Sequence, residues 1–252
     1  MTFKKHIPNL ITLLNLLSGT IAVYFAVKEQ LVLAALFVFL GIFFDFFDGL
    51  LARLLNVQGE LGKQLDSLAD VVTSGVVPGI VMLQLLLKSV HERWMDDLSC
   101  EVGNWIVFDD YHLHWLPFIG LLITLAAAYR LAKFNIDERQ TSSFIGLPTP
   151  AAALVVLALP LILTYSNNEI ANNLIGNTWF LIGLTVVLSY FMNAEIPLFS
   201  LKFKDYSWAA NKVKYIFIGF AIVLSVLLQF IAIPIIILLY VVISLIETYF
   251  KK

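Results

Sequence analysis

The chain has 252 residues, of which 60% are hydrophobic and 13% charged, with a mean hydropathy of +0.88. A soluble globular chain carries roughly 25% charged residues, so this composition excludes one and identifies an integral membrane protein. The net charge of −2, with no basic patch interleaved with aromatics, gives no reading as a nucleic-acid binder, and a lone cysteine, Cys100, leaves neither an intrachain disulfide nor a thiolate metal site.

Eight apolar runs approach the roughly twenty residues a span requires. They cover about 8–27, 31–53, 64–88, 115–134, 148–165, 173–193, 214–230 and 232–249. Lys4 and Lys5 precede the first run, but no small-residue cleavage site follows it, so it reads as the first membrane helix. The last two runs form one apolar stretch broken near Pro234, which predicts a tight helical hairpin. With the N-terminus in the cytoplasm, thirteen of the sixteen Lys and Arg fall on cytoplasmic segments. Only Lys28, Lys88 and Arg93 fall outside, as the positive-inside rule requires of an even number of spans.

The first run carries Asn9, Thr12 and Asn15 on one helical face. Such a stripe reads either as interhelical hydrogen bonding or, for Asn9, as a reach toward a site on the neighbouring helices. Next comes DFFDGLLARLLNVQGELGKQLDSLAD, residues 45–70. Asp45 and Asp48 are three apart and Asp66 and Asp70 four apart, so each pair shares a helical face at the cytoplasmic end of its run. Ionisable residues at the edge of a span are costly and are usually functional. Four converging carboxylates suit hard divalent cations, and two ions balance their charge better than one.

The segment 89–114 is a long acidic outer loop with Trp94 and Trp105 as interfacial anchors, and its histidines receive no chemistry. Arg130 and Lys133 share a face at the end of the fourth run, either as snorkelling cations or as an anion site. Pro148 and Pro150 stop and restart helices before the slim Ala151–Ala153 stretch. Lys202 and Lys204 lie in a basic interfacial loop suited to anionic lipid.

The pattern Asp45-x-x-Asp48-Gly49-x-x-Ala52-Arg53, eight residues, then Gly62-x-x-x-Asp66-x-x-x-Asp70 resembles the signature of the CDP-alcohol phosphotransferases. The stretches from Ile7, Gly62, Arg130 (RLAKFN) and Phe144 (FIGLPTPAAA) further resemble the bacterial multi-spanning phosphatidylserine synthases. The resemblance implies transfer of a phosphatidyl group from CDP-diacylglycerol to L-serine. It implies two divalent cations, Mg2+ or Mn2+, held by Asp45, Asp48, Asp66 and Asp70, with Asp70 as general base. It places Asn9, Gly49, Ala52, Arg53, Gly62 and Ser67 at CDP-diacylglycerol, and makes Arg130, Lys133 and Asn135 the candidates for serine. It also implies a homodimer in the bacterial inner membrane, active at the cytoplasmic face. The expected fold is an all-α membrane bundle of six core helices plus two C-terminal ones, a single domain over 1–252 with its catalytic core in about 1–195 and a hairpin in about 214–250. The alternatives are the same reaction with another acceptor, as in phosphatidylglycerophosphate or phosphatidylinositol-type synthases, and a cation transporter using the aspartates as its pathway.

Overall fold

A computed structural model describes residues 6–94, 115–136, 144–198 and 208–250. The outer-loop residues 95–114, and Lys202 and Lys204, lie outside them. The described residues are all-α apart from one ribbon of two short strands. Helices α1 (His6–Val27) and α2 (Leu31–Leu54) are joined by three residues. Next come α3 (Glu60–Asp70), a π-helical turn (Val71–Val76) and α4 (Val77–Trp94), running on without a break. A 3-10 turn (Leu116–Leu121) leads into α5 (Leu122–Ile136), and β1 (Phe144–Ile145) precedes α6 (Thr149–Tyr165). Helices α7 (Glu169–Ile175) and α8 (Thr178–Asn193) follow, then β2 (Pro197–Leu198), which pairs antiparallel with β1. Last are α9 (Trp208–Leu228), a 3-10 turn (Gln229–Ile231) and α10 (Ala232–Phe250).

Small residues set the closest helix pair. Ala22 and Ala26 of α1 and Ala34 and Ala35 of α2 are fully buried, so the two backbones pack at short range as membrane helices do. The outer faces of the same helices, with Leu10, Leu13 and Leu17 on α1 and Leu36, Phe43 and Phe46 on α2, are exposed. In a bilayer those side chains meet acyl chains. Helix α6 is apolar on all sides and buried from Ala152 to Ile162 except Leu154, which makes it the central helix. It packs against α2, α4 and α10.

Among the described residues, five helical stretches are long and apolar enough to span a membrane, and six if α7 and α8 together form one span. The fifth apolar run becomes α6, a shorter apolar helix of 17 residues. The sixth is broken by a 75° bend between α7 and α8. Asn177 marks that break, because its side-chain oxygen accepts the orphan backbone N–H groups of Trp179 and Phe180 at the start of α8, as Asn168 accepts that of Ala171 at the start of α7.

Residues 211–246 form one continuous apolar stretch, yet they fold back on themselves. The rings of Phe217 and Tyr240 lie 6.0 Å apart, whereas 23 residues of straight helix would separate them by roughly 35 Å. The reversal is at the 3-10 turn, where Gln229 has φ 50°. Pro234 sits in the first turn of α10, where its missing N–H costs nothing. The turn rests on α6 through the Phe230 and Tyr165 rings, 5.6 Å apart.

Gly146, at φ 74°, ties β1 to the end of α8. Its N–H donates to Ile196 O at 2.9 Å, and a Cβ there would sit 2.5 Å from Met192 O.

Candidate active site

The site forms where α2 ends and α3 begins. After Arg53 the chain reverses through Leu55–Gly59, helped by Asn56 in the left-handed region at φ 53°. The Val57 N–H closes on Ala52 O at 3.0 Å. Gly59 is extended, and Glu60 opens α3 with an acidic first turn, as the helix dipole favours. The reversal lays α3 against α1, and from there Asp66 faces the aspartates at the end of α2.

Asp45, Asp48 and Asp66 converge so that a carboxylate oxygen from each lies within 4.8 Å of the others. At that separation, and at an effective dielectric constant of about 20, each ionised pair repels by roughly 3 kcal/mol. Such a trio calls for a cation. Asp66 Oδ1 is moreover buried without a hydrogen-bond partner, an orphaned acceptor that a bound cation would satisfy. The donor set, hard oxygen atoms only, fits a divalent ion of the magnesium or calcium class.

Asp70 stands apart from this trio. Its Oδ1 accepts from Asn15 Nδ2 at 3.3 Å. Asp48 is 6% exposed, and its Oδ2 accepts from the Thr12 hydroxyl. The polar stripe of α1 therefore supplies a donor to one aspartate on α2 and one on α3. Asn9, the third member of the stripe, lines the cavity instead.

That cavity, about 460 Å3, opens beside Asp48 and Asp66. Its size falls within the roughly 300–1,000 Å3 of small-molecule clefts. Asn9, Gly49, Ala52, Arg53, Gly62 and Lys63 all line it. A Cβ at Gly49 would meet nothing within 4 Å, and one at Gly62 would come 3.3 Å from Asn9 Oδ1. Both glycines therefore face open space or its rim.

Helix α5 closes the other side. The Lys63 ammonium donates to Asn135 O at 2.8 Å, and Asn135 Nδ2 donates to Ser67 Oγ at 2.8 Å. Asn135 thus fastens α5 to the first two turns of α3. Arg130 is 8% exposed and close enough to Asp70 for their charges to interact. Its Nη1 donates to Thr149 Oγ1 at 3.5 Å, its guanidinium lies 5.9 Å from the centre of the Phe134 ring, and its Nε is buried without a partner. Lys133 turns elsewhere and pairs with Glu195 at 3.1 Å.

Three contributors were not singled out from the sequence: Lys63, Thr149 and Thr73. Lys63 adjoins the signature glycine, and Thr149 lies within the FIGLPTPAAA stretch. Thr73 lies within the family-like stretch from Gly62, three residues after Asp70, but in the π-helical turn that no apolar period announces.

The chain is 34% identical over 159 residues to a CDP-diacylglycerol–serine O-phosphatidyltransferase of Bacillus subtilis, covering 62% of this chain and 75% of that one. It is 32% identical over 207 residues to the Helicobacter pylori protein of the same name, covering 80% and 74% respectively. An archaetidylserine synthase of Methanothermobacter thermautotrophicus is 29% identical over 163 residues, covering 64% and 60%. The CDP-alcohol phosphatidyltransferase family pattern matches residues 5–191, from the start of α1 almost to the end of α8, and with it the whole aspartate site. The chain belongs to the CDP-alcohol phosphatidyltransferase family.

Proposed function

We propose that this protein transfers the phosphatidyl group of CDP-diacylglycerol to L-serine, releasing cytidine monophosphate. The observation that carries the reading is the Asp45–Asp48–Asp66 cluster, of which Asp48 and Asp66 line the 460 Å3 cavity, in a chain whose relatives include two proteins named CDP-diacylglycerol–serine O-phosphatidyltransferase. Two divalent cations, Mg2+ or Mn2+, held by Asp45, Asp48, Asp66 and Asp70, would neutralise the diphosphate and the leaving phosphate.

The protein's own groups do the rest. Gly49 and Ala52 leave room for the nucleotide against α2, and Gly62 and Asn9 bound its far side. Arg53 presents a fork of donors to the diphosphate, with Lys63 as a second cation on the same wall. Ser67, fixed by Asn135, borders that wall. Asp70 accepts the proton of the serine hydroxyl. The hydroxyl oxygen bonds to the lipid-side phosphorus as the bridging P–O bond breaks, and its electron pair leaves with cytidine monophosphate. Arg130 holds the serine carboxylate through its unpartnered Nε, with Asn135 as a further polar group on the same helix. Lys133, paired with Glu195, supports α5 from outside.

The same reading gives a multi-pass protein of the bacterial inner membrane with both termini and the site on the cytoplasmic side. The lysine and arginine distribution supports this orientation. The catalytic helices occupy about 1–195, the hairpin of about 214–250 is appended in the same membrane domain, and two copies associate as a homodimer.

The test is release of cytidine monophosphate by the full chain in vesicles with Mn2+ or Mg2+. Serine, glycerol 3-phosphate, inositol and inositol phosphate are offered in turn, with Asp70→Asn as control. Serine-dependent release that the substitution abolishes is the expected result. Release only with another acceptor would overturn the serine assignment, and no release with any acceptor would overturn the reaction.

A further inference from the structure

Asn15 is fully buried and Thr73 is 1% exposed. They meet where α1, α2 and the π-helical turn pack together. The Thr73 hydroxyl donates to Asn15 Oδ1 at 2.8 Å, and Asn15 Nδ2 donates to Asp70 Oδ1 at 3.3 Å. A carboxamide has two ends of opposite character. Turned the other way, its oxygen would face an ionised carboxylate oxygen. With Thr73 supplying the one proton that Asn15 Oδ1 needs, the amide N–H points at Asp70.

Two glycines make the slot that holds this pair. A Cβ on Gly19 would collide with the Thr73 hydroxyl. One on Gly41 would lie 2.7 Å from Thr73 Cγ2 and 2.8 Å from Asn15 Oδ1. The π-helical turn completes it. Its wider winding carries Thr73 toward α1, while the Gly75 carbonyl accepts from Thr124 of α5 at 3.0 Å. Such turns are rare and recur at functional sites.

We propose that Thr73 and Asn15 are positioning residues for the reaction. Thr73 sets the amide of Asn15, and Asn15 holds one oxygen of Asp70 so that the other faces the acceptor hydroxyl. The proposal rests on the reading of Asp70 as the base. Neither residue touches substrate: neither lines the cavity. Removing the relay therefore lowers kcat and leaves the KM for CDP-diacylglycerol alone.

The test is steady-state turnover of Thr73→Val, Thr73→Ser, Asn15→Asp and Asp70→Asn in vesicles of one lipid composition, at saturating metal. Thr73→Val keeps the shape and deletes the donor, and a roughly 10- to 100-fold fall in kcat at unchanged KM is expected, the usual cost of losing an outer-shell partner. Thr73→Ser retains the hydroxyl and restores turnover. Asn15→Asp loses the N–H and sets a carboxylate against Asp70, so its kcat falls at least as far. If Thr73→Val turns over like the unmodified protein, or if Thr73→Ser falls as far as Thr73→Val, the relay is wrong and the contact is packing alone. A rise in KM at constant kcat refutes it equally. If Asp70→Asn keeps its turnover, the assignment of the base fails first and takes the relay with it.

Discussion

Thr12→Val tests whether α1 belongs to the metal site. The Thr12 hydroxyl has one proton and two acceptors in reach, Pro8 O at 3.1 Å and Asp48 Oδ2 at a shorter distance. The shorter bond to a carboxylate takes the proton, and a buried bond of that kind contributes about 1.5–3 kcal/mol. Valine deletes it, while the Pro8 carbonyl keeps its place in the helical ladder, so no second group is orphaned. At 1.4 kcal/mol per decade the loss corresponds to about 10- to 150-fold in an equilibrium constant. Outer-shell partners of metal ligands typically contribute about 10- to 100-fold to affinity, and the two ranges overlap. The Mn2+ midpoint of cytidine monophosphate release should rise by that factor, and Thr12→Ser should restore it. Direct Mn2+ binding to the full chain, followed by paramagnetic resonance, should move in parallel. A Thr12→Val midpoint within about twofold of the unmodified protein would refute the reasoning, because an outer-shell bond to a ligand cannot be lost so cheaply.

Three further outcomes follow from the packing and the charges. Arg130→Lys keeps the charge but not the fork, so the KM for serine should rise while that for CDP-diacylglycerol stays constant, as initial rates at varied serine would show. Gly120→Ala would bring a Cβ to 2.8 Å from Leu83 N, a backbone atom that cannot move alone. A destabilisation of about 1–3 kcal/mol is expected, read as a lower Tm in detergent. Glu195→Gln breaks the ion pair to Lys133, but with side chains 31% and 64% exposed the pair contributes only about 0–1 kcal/mol, and Tm should not move measurably.

Polar residues in a lipid-embedded chain must find partners, because hydrocarbon offers none. That rule explains which features could be read from the residues alone. The stripe Asn9, Thr12 and Asn15 and the paired aspartates announce themselves as groups in need of partners, and helical spacing fixes their faces. Which donor meets which acceptor depends on register between helices. Only the packed structure assigns Thr12 to Asp48 and Asn15 to Asp70 and leaves Asn9 in the cavity wall. The π-helical turn is hidden for a related reason. Val71 to Val76 is apolar enough to continue α3 into α4, and the widened turn is stabilised from outside by the Thr124 hydroxyl on the Gly75 carbonyl. Hydropathy likewise passes over the bend at Asn177, since the flanking residues are apolar on both sides and only the cap chemistry marks the break.

The same rule carries information when it is broken. Asp66 Oδ1 and Arg130 Nε are both buried without partners, and each lies on a residue that the family signature or the subfamily-like stretches single out. Leaving a charged group unsatisfied in a buried site costs several kcal/mol, which a folded protein tolerates only where something else completes the set. One orphan is an acceptor beside two other carboxylates and the other is a cationic donor near Asp70. Under the proposed function, a cation beside Asp66 and the serine carboxylate at Arg130 would complete the two.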